Sequence, residues 1–218
     1  MTHIQYGCEH SAPEGWLNFD ASFTLRVERF PLAGRFVRKN AQRFPANVTF
    51  GDIVQGLPVP DGSADGVYAS HVLEHLSRSS MLVALRNTYR MLRPNGIFRL
   101  IVPDLEARAR RYLADLESRQ SDANDRFLRS SYLGAEADPS GLAGFASEKL
   151  GRSKHLWMWD YQAIDAALKA TGFTSIRRCE MGDSGDPAFA AVEQHDRFFD
   201  EGLGIRELAV HCARPTAA

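Results

Sequence analysis

Cysteine is scarce in this chain. Its 218 residues include three, Cys8, Cys179 and Cys212. An odd number without metal-ligand spacing argues against a disulfide framework and points to a reducing, cytoplasmic compartment. Charge of one sign is also missing: 26 basic residues face 27 acidic ones, a net charge of -1. Global attraction to nucleic acid or anionic lipid is therefore not expected. Local basic clusters at Arg35-Phe36-Val37-Arg38-Lys39 and at Arg108, Arg110 and Arg111 read as solvated faces. No apolar run reaches the length of a membrane span, and Met1 leads into a strand pattern without a signal-peptide signature. Repeats and low-complexity tracts are absent. His3, His10, His195 and His211 share no metal spacing with one another or with the cysteines, so no metal is expected.

The stretch from Pro60 to Pro103 is the best-organised part. Gly66-Val67-Tyr68-Ala69 is a short apolar run after turn chemistry at Asp61-Gly62-Ser63, which predicts a buried strand. From Arg78 the period changes: Met81, Leu82, Leu85, Tyr89 and Leu92 recur at helical spacing. Pro94-Asn95-Gly96 ends the helix, and Ile97 to Val102 reads as a second buried strand. This is a βαβ crossover. Ligands of open parallel sheets sit outside the carboxyl ends of the strands, here Ser70-His71 and Pro103-Asp104.

Around this unit the chain reads as one α/β domain over residues 1–218, within the size range of a single full core. His3-Ile4-Gln5-Tyr6 is a strand ending at Gly7-Cys8, and Trp16 to Asp20 is another. Between Gly7 and Trp16, Ser11-Ala12-Pro13-Glu14 predicts a capped helical turn that would offer N–H groups to an anion. Residues 21–45 lack one clear period and predict irregular structure with a helical turn or two. Asn47 to Gly51 reads as a strand. Asp104 caps a helix with a stripe of Leu105, Ala109, Tyr112, Leu113 and Leu116. An insert over about 119–160 follows, with a helix near Phe127 to Leu133, a break at Asp138-Pro139-Ser140-Gly141 and an aromatic cluster from His155 to Asp160. Its size and place predict a helical lid or substrate wall. A helix at Tyr161 to Thr171, a strand at Ser175 to Cys179, a helix from Asp186-Pro187 through Phe199 and an antiparallel last strand at Glu207 to Cys212 complete the reading.

These residues resemble the class I S-adenosylmethionine-dependent methyltransferases, especially the methyltransferase type 11 group. The likeness lies in Tyr6-Gly7-Cys8 with Gly15 to Asp20, in Gly51-Asp52-Ile53, in Leu57 to Tyr68, in Ser70-His71-Val72-Leu73-Glu74-His75 and in Leu92 to Gly96. It spans most of the chain and is most specific in the middle. The resemblance implies a Rossmann-like, doubly wound, mostly parallel seven-stranded sheet with an antiparallel last strand. It implies S-adenosylmethionine as cofactor and a small-molecule or glycan-precursor acceptor. By the same resemblance, Tyr6, Gly7 and Cys8 would approach the methionine portion and Asp20 would hold the ribose hydroxyls. Asp52 would accept from the adenine amino group, Ile53 would pack on its ring, and Tyr68, Ala69 and Ser70 would lie beneath the sulfonium. Glu9 departs from the pattern, which usually has glycine there, and would repel the cofactor's carboxylate unless it turns outward or helps bind the cofactor's amino group.

Methyl transfer needs alignment and, for a hydroxyl acceptor, a base. His71 is the candidate base, with a structural cap as its alternative. His155 is the second candidate, with an ordinary loop histidine as its alternative. Glu74 and His75 are adjacent, so at most one should face a pocket, and packing is the expected role of both. Trp157 and Trp159 read as core. Two other functions remain open at this point: a noncatalytic nucleoside-binding module of the same fold, and a nicotinamide-dependent oxidoreductase. The incomplete G-x-G-x-x-G argues against the last.

Overall fold

The structure is a computed structural model that describes residues 1–30, 43–134 and 154–216. The basic cluster at Arg35 to Lys39 and the break at Asp138 to Gly141 lie outside these residues. Seven strands form the main sheet: β1 His3–Tyr6, β2 Trp16–Asp20, β3 Val48–Phe50, β4 Ala64–Ser70, β5 Leu92–Val102, β6 Thr174–Arg178 and β9 Leu208–Ala213. Their order is β3-β2-β1-β4-β5-β9-β6. All neighbouring pairs from β3 to β5 are parallel, and β9 runs antiparallel to both β5 and β6. This is the Rossmann-like α/β sheet that the sequence predicts. Its strand order reverses at β1, where the chain departs to β2 on one side and reaches β4 on the other, so a crevice opens beyond Tyr6 and Ser70.

Alternation along the strands supplies two cores. On one face Ile4, Val67, Ala69, Phe98 and Leu100 pack against α2 (Arg78–Met91) and α5 (Tyr161–Thr171) through Met81, Leu85, Ile164 and Leu168. Ser77 caps α2 by accepting from the Ser80 N–H, and Gly172, at φ +107°, ends α5. On the other face Tyr68, Ile101 and Ala209 meet Trp16, Phe189 and Val192. Arg99, 1% exposed, also points to this side, where it pairs with Glu193 and Asp183 and donates to the Glu180 carbonyl. Breaking such a buried pair costs about 3–5 kcal/mol, so this cation clamps the 180–193 segment to the sheet.

Three local expectations change. Residues 8–15 form turns without a helix; the Ser11 carbonyl accepts from Gln5 Nε2 and the Pro13 carbonyl from Asn18 Nδ2, so side chains of β1 and β2 hold this connection. A helix does form at α1, Phe23–Glu28, capped by Ser22. In α3, Leu105–Glu117, the buried residues are Arg108 and Asp115, while Leu113 and Leu116 are exposed. Arg108 makes two bonds to Glu207, at 2.7 and 2.8 Å, and one to Asp200 at 3.2 Å; this ion network outweighs the apolar period. The helix expected after Asp186 is a 3-10 turn at Pro187–Ala191 and a single helical turn at His195–Phe198, followed by a short ribbon of Phe199–Asp200 with Ile205–Arg206. The helix expected near Phe127 is α4, Ala123–Ser131, which ends at Tyr132 with φ +52°.

Candidate functional site

At the end of β1 the chain turns sharply through Gly7, at φ +67°. A Cβ there would lie 2.2 Å from Val72 Cγ2, so glycine is needed for space as well as conformation. Glu9 follows with φ +47°, and its N–H donates to Asp20 Oδ2 at 3.0 Å. The Ser22 N–H donates to Asp20 Oδ1 at 2.7 Å. One backbone donor on each oxygen fixes the buried Asp20 carboxylate at the end of β2 and leaves each oxygen acceptor capacity. The Glu9 side chain turns outward to Arg197, at 3.5 Å.

A cavity of about 20 Å³ lies beyond β1 and β4, with Tyr6, Gly7, Cys8, Tyr68 and Ser70 on one side and Val192, Gln194 and Arg197 on the other. Tyr68 Oη and Ser70 Oγ are buried there without a well-formed hydrogen bond. Burial raises the Tyr68 phenol above its ordinary range and pushes the Cys8 thiol up to about 12, with Asp20 and Glu9 adding to the second effect. Cys8 is therefore a thiol and no nucleophile near neutral pH. Of the other cofactor candidates, Asp52 accepts from the Val54 N–H at 2.9 Å just past β3, while Ile53 and Ala69 are packed in the core.

Across the one-turn helix His195–Phe198 lies a larger cavity of about 340 Å³, lined by Cys179, Glu180, Phe198, Phe199 and Glu207 among others. It sits at the same edge of the sheet, where β6 ends and β9 begins. Sequence reasoning missed both this space and Arg197, because neither carries a motif; only the fold brings the 179–207 segment to the strand ends.

His71 leaves β4 at φ +54°. Its Nε2 donates to the Arg197 carbonyl at 3.1 Å, and Nδ1 stands 3.4 Å from Glu74 Oε1. Although burial opposes the charge, Glu74 and the Arg197 carbonyl hold the His71 imidazolium above the ordinary histidine range. With both ring nitrogens turned to acceptors, His71 presents no lone pair to a substrate in this arrangement. His155 is the reverse. Burial, reinforced by His75, Arg108 and His71 against the opposing charge of Glu74, pushes it down to about 4 and leaves a neutral imidazole.

Glu74 links the two histidines. It is 1% exposed, and neither of its oxygens has a well-formed hydrogen bond. Glu74 and His75 belong to a 3-10 turn, Leu73–His75, and the Leu156 and Trp157 N–H groups donate to the Glu74 carbonyl at 2.8 and 3.2 Å. These bonds bring His155 to both neighbours, with ring centres of His75 and His155 5.0 Å apart. Adjacent residues thus meet one partner, contrary to the helical expectation, because a second segment is tied to the turn that carries them. Trp159 is core, as expected, whereas Trp157 is 44% exposed.

Comparison with known proteins bears on the fold that carries these residues. Residues 7–100 match the family described as "Methyltransferase domain". A SAM-dependent methyltransferase from Archaeoglobus fulgidus is similar in structure with TM-score 0.53 and 15% identity, over 98% of this chain and 86% of that one. A second, from Methanosarcina mazei, gives TM-score 0.52 and 13% identity over 99% and 93%. The chain also matches the CurJ carbon methyltransferase at TM-score 0.49 and 14% identity, covering 99% of this chain and spanning about half, 49%, of that protein. No curated protein is similar in sequence.

Proposed function

We propose that this chain, which carries a class I S-adenosylmethionine-dependent methyltransferase domain, transfers a methyl group to a small-molecule or glycan-precursor acceptor. The observation that carries the reading is the clamped Asp20 carboxylate beside the Gly7 turn, with the buried Tyr68 and Ser70 hydroxyls, neither in a well-formed hydrogen bond, lining the same crevice. This donor set fits a nucleoside with a polar amino-acid tail. When bound, S-adenosylmethionine supplies an electrophilic methyl carbon. The chain's residues bind and align: Asp20 would hold the ribose hydroxyls, Gly7 and Cys8 would let the backbone approach, and Ser70 would face the reacting end. Asp52 and Ile53, at the neighbouring strand end, would take the base. Glu74 would orient the His71 ring at the end of β4, and displacement of Arg197 would free its Nε2 toward the acceptor.

The small cavity has room for about one water molecule. Cofactor binding therefore requires Gln194 and Arg197 to move aside, which would join the small cavity to the 340 Å³ space where we place the acceptor. Isothermal titration calorimetry with S-adenosylhomocysteine tests the reading: one equivalent should bind, and NAD(H) should not. The small volume of this cavity favours one second reading, a noncatalytic module, for which neither S-adenosylhomocysteine nor S-adenosylmethionine would bind. An acceptor screen with labelled cofactor then identifies the substrate.

A further inference from the structure

We propose that Glu74, His75 and His155 form a binding site for one divalent first-row transition ion of the zinc type. One ligand atom from each lies within 4.8 Å of the others. Ligands at about 2.0–2.2 Å from a shared ion stand roughly 3–4 Å apart, so their separations need contract by at most about 1–2 Å to close the site. Burial makes the case specific. Glu74 is 1% exposed and His155 8% exposed; neither Glu74 oxygen nor His155 Nδ1 has a well-formed hydrogen bond, and the ion pair given to Glu74 is that of Oε1 with His71 at 3.4 Å. A buried carboxylate held by one long ion pair on a single oxygen still carries a desolvation cost, which an ion on the other oxygen would offset.

The outer contacts also suit an ion. His75 Nδ1 meets the Lys154 carbonyl at 3.1 Å, which fixes the ring and leaves Nε2 as the ligand nitrogen. The Leu156 and Trp157 N–H bonds to the Glu74 carbonyl set the position of His155. Of the cations that act on His155, Arg108 is committed to Glu207 and Asp200, and His71 faces Glu74 at 3.4 Å. Two imidazoles and one carboxylate favour zinc, iron, cobalt or nickel over magnesium or calcium, which prefer oxygen ligands. Three protein ligands are an open site, as in catalytic zinc centres, with at least one position left for water or an oxygen of the acceptor. Binding of the ion stands on these residues alone; its use on the acceptor rests on the function proposed above.

The test uses the full, untagged chain stripped with a chelator and dialysed. Zinc and cobalt(II) should each bind at one equivalent by calorimetry. Glu74→Gln and His155→Asn should each weaken binding at least about 100-fold while far-ultraviolet circular dichroism stays native. Cobalt absorption of the unmodified chain provides a reading that needs no variant: visible ligand-field bands without a thiolate charge-transfer band. Substoichiometric binding, unchanged affinity in the variants, or a thiolate band would overturn the site. S-adenosylhomocysteine should still bind the stripped protein; failure there refutes the methyltransferase reading and leaves the metal site standing.

Discussion

Asp20→Asn separates the structural and ligand-binding roles of one carboxylate. Asp20 is 4% exposed and takes the Glu9 N–H at 3.0 Å on one oxygen and the Ser22 N–H at 2.7 Å on the other. Asparagine keeps one acceptor and turns an NH2 group toward the second N–H, so one charge-assisted bond is lost, about 1.5–3 kcal/mol. For a chain of this size that lowers Tm by roughly 3–12 °C. The same exchange removes one of the two acceptors proposed for the ribose hydroxyls. The affinity for S-adenosylhomocysteine should fall about 10- to 100-fold, at 1.4 kcal/mol per factor of ten. Thermal unfolding of the ligand-free protein reads the first effect and calorimetry the second. An unchanged Tm would refute the clamp. A lowered Tm with unchanged affinity would confine Asp20 to holding the Gly7 turn and remove it from the cofactor site.

Gly7→Ala should cost about 2–4 kcal/mol by denaturant unfolding, because its Cβ meets Val72 at 2.2 Å and its φ is +67°. Adding Val72→Ala should recover the steric part and leave about 1–2 kcal/mol of backbone cost. Glu9→Gly removes a φ of +47° and a loose 3.5 Å ion pair with Arg197, so stability should rise by about 0.5–1 kcal/mol. Because Glu9 faces outward, cofactor affinity should stay within about twofold; a large gain would show that the acid repels the cofactor after all. Burial, with the charges of Arg177 and Arg99, pushes His211 down to about 4 from 6.5. Between those values the unfolded chain binds the extra proton, so stability falls as pH drops through that window, by about 1–3 kcal/mol. His211→Gln should flatten that part of a pH series of unfolding curves, and an unchanged slope would count against the shift.

The parallel half of the sheet is legible in the sequence because its strands are buried on both faces and carry turn residues at their ends. His3 to Tyr6, Trp16 to Asp20 and the order strand, helix, strand around Tyr68 read correctly for that reason. The helix end differs: α2 ends at Met91 and β5 begins at Leu92, taking in the Pro94-Asn95-Gly96 stretch where the sequence predicts that end. The α3 helix reads correctly as a helix but with the wrong face, since a periodicity of apolar residues is silent about Arg108 and its acidic partners. Arg99 is hidden in the same way inside an apolar run, although its partners hold down the segment that closes the crevice. Gly7 and Asp20 stand out by local pattern, and the structure brings them together through Glu9. Glu74, His75 and His155 do not, because no spacing rule links residues 74 and 155; two backbone bonds to one carbonyl make them neighbours.

The single turn from His195 to Phe198 stands as a partition, with Gln194 and Arg197 bordering the small chamber and Phe198 the large one. Whichever guest arrives first must displace it and bear the whole cost of that displacement. The second finds the wall already moved and binds more tightly by the same amount. Donor and acceptor should therefore each raise the other's affinity even where they never touch, a reciprocity written into where one helical turn stands.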